Sequence, residues 1–132
     1  MKHLFYTLVI TLVMVSCGTS SKLNHKKHLD EEPVTIKNDS LQYEITIIDN
    51  GFNLYLNTIA KPKNFYSKDY YKTKNIFYVT EWNIRVQNPL RYNNAIYENI
   101  INYDFNIDYG LEVNYKLYNY FKFVEYKYKQ QF

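Results

Sequence analysis

The sequence predicts a small α+β domain, an antiparallel sheet packed against two long helices, set behind an export signal and a tether. Three observations predict it. Apolar and polar residues alternate from Leu41 to Ile47, as in a half-buried strand. Two later segments, near 67–87 and 110–130, carry apolar residues at helical spacing. Ahead of all three, an apolar run and then a polar stretch separate the start of the chain from the rest.

The chain opens with the basic Met1-Lys2-His3, continues with an uncharged, mostly apolar run from Leu4 to Val15, and ends that zone in small residues. The run has signal-peptide length and falls short of the roughly 20 apolar residues a spanning helix needs. Its end, Met14-Val15-Ser16-Cys17-Gly18, resembles the bacterial lipobox, in which lipid is joined to the cysteine and cleavage falls just before it. Cys17 is the single cysteine of the chain, so an exported form has no partner for an internal disulfide, and lipidation accounts for the odd thiol. Two acyl chains on Cys17 suffice for stable attachment to a membrane. The alternative is an ordinary secretory signal that contains a cysteine. Residues 1–16 therefore read as a lipoprotein signal peptide. Residues 17–40 are mostly polar, with His25-Lys26-Lys27-His28 followed by Asp30-Glu31-Glu32, and read as a flexible tether.

The domain is expected over 41–132, and a chain of about ninety residues buries enough surface for one core without disulfides. Its first strand, near 41–48, stops at Asp49-Asn50-Gly51. That triplet suits a hairpin turn, but Phe52-Asn53-Leu54-Tyr55-Leu56 also suits a short helix capped by Asp49, the preferred reading. Ser67 reads as the N-cap of a helix over 67–87, with Asp69 in its first turn. Its apolar face draws on Tyr70, Tyr71, Phe77, Tyr78, Trp82 and Val86, and Asn88-Pro89 ends it. A second strand is expected near 98–106. Every odd residue from Ile101 to Leu117 is apolar, which alone predicts one very long strand, but that is about three times the usual length. Asp108-Tyr109-Gly110 offers a break, and Val113, Leu117, Phe121, Val124 and Tyr128 then fall at helical spacing, giving a helix near 110–130. The rival architecture is an all-antiparallel sheet.

Composition excludes more than it identifies. The domain region contains no His, Cys or Met, which removes imidazole and thiol chemistry and the metal sites built from them. Its glycines are Gly51 and Gly110, too few for a phosphate-cradling loop, and no cofactor is expected. A formal net charge of +3 over the chain gives nucleic-acid binding no electrostatic support. The chain has 16 tyrosines, but Asn, Lys and Ile are abundant too, as an AT-rich genome produces. Among 16 basic residues only Arg85 and Arg91 are arginines, and a planar guanidinium does bidentate and stacking work that lysine cannot.

The candidate site residues follow from these leftovers. Glu81 and Arg85 stand four apart beside Trp82, which reads either as a surface ion pair lapped on the indole or, with Arg91, as the polar floor of an aromatic cleft. Asp104, Asn106 and Asp108 have the spacing of a calcium-loop opening, but glycine arrives at position seven and Tyr115 stands at the twelfth, so no metal is expected. Asp108 and Glu112 complete the set of candidate binding residues.

At Phe77–Asn83, Asn88–Tyr92 and Ile107–Tyr115 the chain resembles a family of small Bacteroidota lipoproteins catalogued as a domain of unknown function. The resemblance implies an envelope address and carries no activity over. The leading expectation is a non-catalytic binding module, anchored through lipid on Cys17 on the outer membrane, that contacts an envelope protein or polymer; which membrane face it occupies stays open. The alternative is a carboxylate-dependent hydrolase of envelope glycans using two of Glu81, Asp104, Asp108 and Glu112, and a third reading is a purely structural lipoprotein.

Overall fold

Val34-Thr35-Ile36 is a short β-branched run, and in a computed structural model of the chain it begins a strand, β1 (Val34–Asn38). Residues 32–132 are described; the expected export signal, Cys17 and most of the expected tether lie outside the described residues. β1 pairs antiparallel with β2 (Tyr43–Ile47) in unbroken register, from Val34 opposite Ile47 to Asn38 opposite Tyr43. Between them Asp39–Leu41 makes one 3-10 turn, in which the Asn38 side chain accepts the Leu41 N–H and Gln42 takes a left-handed φ of 51°. Asn38 Nδ2 also donates to the Tyr109 carbonyl at 3.0 Å, tying the hairpin to the last helix.

The α+β class is thus as expected, but the second strand is not near 98–106. Among the described residues the sheet has two strands, and the partner of β2 precedes it, inside the stretch expected to be tether. Only Ile36 of β1 is fully buried, so a polar average over the stretch hides it.

Three helices follow: α1 (Phe52–Thr58), α2 (Lys68–Val86) and α3 (Gly110–Tyr128). The short α1 forms as predicted, but its cap is Gly51 at φ 98°, a conformation that suits glycine, and not Asp49. Ser67 caps α2 as predicted, its Oγ accepting the Tyr70 N–H at 3.2 Å. Tyr71, Asn75, Tyr78, Trp82 and Arg85 form its buried stripe, whereas Phe77, expected on the apolar face, lies one position off it and is 57% exposed. α3 is the central element, with α1, α2 and β1 all packed on it. Its Val113, Leu117, Phe121 and Val124 are buried at the predicted spacing, each worth about 1.5–3 kcal/mol.

Residues 87–109 form neither helix nor strand. Here alternation misleads because side chains of α2 take up the backbone groups that a neighbouring strand would have paired. Asn83 Nδ2 donates to the Ile101 carbonyl and Asn83 Oδ1 accepts the Ile101 N–H, both at 2.9 Å. Trp82 Nε1 donates to the Asn99 carbonyl at 2.8 Å. Farther along, the Asp104 N–H donates to the Tyr109 hydroxyl at 3.0 Å. A polar seam lies between α2 and α3, where Asn75 Nδ2 donates to the Asn114 carbonyl at 2.9 Å and the Tyr103 hydroxyl to Asn114 Oδ1 at 2.6 Å.

Candidate functional site

Glu81, Trp82 and Arg85 are brought together on α2, but as a clamp and not as a cleft floor. Arg85 is 8% exposed, and its guanidinium donates to Glu81 Oε1 at 2.8 Å, the Tyr97 hydroxyl at 2.8 Å and the Gln131 carbonyl at 2.5 Å. The rings of Phe132, Tyr92 and Tyr97 lie 4.7, 5.3 and 5.4 Å from its carbon. Burial disfavours its charge, and the hydrogen bonds to Glu81 and Tyr97 more than offset this, so the group stays firmly protonated. The arrangement fastens the 92–97 turn and the last residues to α2, with each of the three guanidinium nitrogens already donating within the chain. Arg91 lies apart, exposed, with its guanidinium 5.4 Å from the Tyr92 ring.

Asp108 and Glu112 occupy the start of α3. Asp108 accepts the Gly110 N–H at 3.0 Å in the turn that leads into α3, whose cap position is Tyr109, and pairs with Lys68 at 2.5 Å. Glu112 pairs with Lys63 at 2.6 Å and Lys116 at 3.3 Å. Lys68 first, then the Gly110 N–H, hold the Asp108 carboxyl below the usual range; Lys63 does the same for Glu112, against some burial. Asp104 Oδ1 accepts from the backbone and side chain of Asn106 at 2.8 and 3.0 Å, so the calcium-like spacing turns inward on its own loop. Among the described residues no three His, Cys, Asp or Glu side chains gather as a metal site.

The concave feature lies elsewhere. A groove of about 750 Å³ runs between β2 and the 95–102 segment, within the usual size range of ligand pockets. Trp82 and Tyr120 form its floor. One end is closed by Asp49, whose carboxylate binds Lys127 and accepts from the Tyr128 hydroxyl at 2.9 Å. Lys127 also donates to the Asn50 carbonyl at 2.8 Å, so the turn after β2 is pinned to the end of α3. Burial, then the nearby Asp49 and Glu98 carboxylates among other groups, push the Tyr120 hydroxyl up, which keeps it a neutral donor.

Residues 4–132 match a family of unknown function, DUF6146. The chain belongs to that family. No curated protein and no solved structure matches it. The resemblance read from the sequence is thus met at the level of a domain of unknown function.

Of the candidate residues, Trp82 alone lines the groove. It is 3% exposed with its N–H committed to Asn99, so it supports the floor more than it offers a face. Glu44, Glu98, Ile100 and Tyr120, which do line it, were not singled out by the sequence. Their shared surface depends on β1 taking the other side of β2, and the one available signal was the β-branched Val34-Thr35-Ile36 run.

Proposed function

We propose that this chain is a lipid-anchored, non-catalytic binding module of the bacterial cell envelope, held on the outer membrane through Cys17, with the groove along β2 as its ligand site. The observation that carries the reading is that solvent-open groove of about 750 Å³, floored by aromatic side chains and pinned at one end by the Asp49–Lys127 pair. The signal-length apolar run before Cys17 supports the address. Among the described residues no helix is long and apolar enough to cross a membrane, and the attachment proposed is lipid.

The electrostatics favour binding over hydrolysis. A glycoside-cleaving pair needs one carboxyl held protonated near neutral pH by an apolar pocket or a neighbouring carboxylate. Asp108 and Glu112 have lysine partners that keep them ionised, and Glu81 is joined to Arg85. A photo-crosslinking residue at Ile100, in the groove wall, tests the reading in cells. An adduct with an envelope component is expected from position 100, little from Phe77 on α2, and loss of the adduct when Cys17→Ala releases the chain from the membrane. Equal yields at 100 and 77 would refute the groove as the site.

A further inference from the structure

The groove touches every residue from 42 to 50. A ligand space lying against one face of a strand meets alternate residues, because side chains point to opposite faces in turn. Contact with consecutive residues means that the space lies along the strand's edge. β1 occupies one edge of β2, and among the described residues no strand occupies the other. The edge carries no lysine, proline or bulge to block pairing, its single charge being Glu44, and its pairing with β1 is unbroken through five residues. Such an edge presents a row of backbone donors and acceptors to whatever lies beside it.

The charge in the groove is one-sided. Its carboxylates are Glu44, Asp49 and Glu98, and its cation is Lys127, which Asp49 already holds. Glu44 and Glu98 stand on opposite walls, both exposed, and neither forms an ion pair among the described residues. Apolar groups also face solvent at both walls, Ile48 at 75% and Ile100 at 58% exposure. A partner copy of this chain would bring the same acidic groove against this one, so self-pairing is opposed by like charge. A basic extended segment suffers no such penalty.

We propose that the groove binds an extended peptide with basic side chains at alternate positions, which adds to the free edge of β2 as a third strand. This rests on the groove being the ligand site and goes further by naming the ligand's chemistry. Backbone hydrogen bonds to β2 hold the peptide. Its basic side chains share the outward face of Glu44, and its apolar ones, on the other face, continue the row of Tyr43, Ile45 and Ile47. A segment pairing with all five residues of β2 spans about 17 Å at the usual rise per residue.

The test is an NMR titration of the ¹⁵N-labelled chain with a capped peptide of alternating Lys and Val. Saturable shifts confined to amides of 43–50 and 95–102 are expected, with slowed hydrogen exchange in β2. The same peptide methylated on every amide nitrogen keeps its side chains and should lose binding. A Glu44→Lys, Glu98→Lys double variant should bind at least tenfold more weakly and turn its preference to a Glu-Val peptide. Equal binding of the methylated peptide would overturn strand addition, and no charge preference would overturn the basic ligand. Protection of β2 that grows with protein concentration in the absence of peptide would assign the edge to a second copy. If soluble wall glycans shift the groove amides and the Lys-Val peptide does not, the peptide proposal fails while the groove survives as a binding site. Failure of the groove itself is read independently, from the crosslink at Ile100.

Discussion

Replacing Arg85 by lysine keeps the charge and removes the fork, which separates the clamp from a simple ion pair. Lysine can retain Glu81 as a partner, but a single ammonium on a flexible stem cannot also reach the Tyr97 hydroxyl and the Gln131 carbonyl in the geometry that Arg85 uses. Two hydrogen bonds to a charged group are then lost, at about 1.5 kcal/mol each, so Arg85→Lys should cost about 3 kcal/mol. Arg85→Ala also loses the contacts with three aromatic rings and leaves Glu81 beside an apolar wall, and should cost about 4 kcal/mol. Glu81→Gln keeps an acceptor for Arg85 Nε and should cost only about 1 kcal/mol. Against a total stability of about 5–15 kcal/mol these are large, separable steps. Urea unfolding reports them through Trp82, the single tryptophan, which is buried in the folded chain. A midpoint for Arg85→Lys equivalent to a loss of less than about 0.5 kcal/mol would refute the clamp, since that is the range of ordinary surface substitutions. A Glu81→Gln loss as large as that of Arg85→Ala would assign the stabilisation to the ion pair alone.

Two further outcomes follow from named contacts. Asn83→Ala removes both bonds that hold Ile101 and should cost about 2 kcal/mol; hydrogen exchange at the Ile101 amide should quicken, and an unchanged rate would mean that other packing fixes the groove wall. Asp108 and Glu112 are held below the usual carboxylate range when folded, so their pairs stabilise the chain above that range and stop doing so as pH falls through the lowered values. Urea midpoints should therefore drop as pH falls from the ordinary carboxylate range, about 4 to 4.5, to below it. Asp108→Asn with Glu112→Gln should flatten that part of the profile, and an undiminished slope in the double variant would assign it to other carboxylates.

Local chemistry made α2 and α3 legible. Ser67 is followed by Tyr71, Tyr78 and Trp82 of the expected face, and Gly110 starts a stripe at 113, 117, 121 and 124, because caps and a 3.6-residue period act within one turn of the backbone. β2 was legible for the same reason, by its period of two. What the sequence could not place is whatever depends on a distant partner. Alternation at 98–106 looks like a strand until Trp82 and Asn83, some 17 residues earlier, claim its backbone. Val34–Asn38 looks like tether until Ile36 finds the core. Arg85 was legible as Glu81's neighbour, but its burial depended on Tyr97 and Gln131, 12 and 46 residues away. The groove is the furthest from the sequence, since an open edge exists only once tertiary packing has decided which side of β2 is taken.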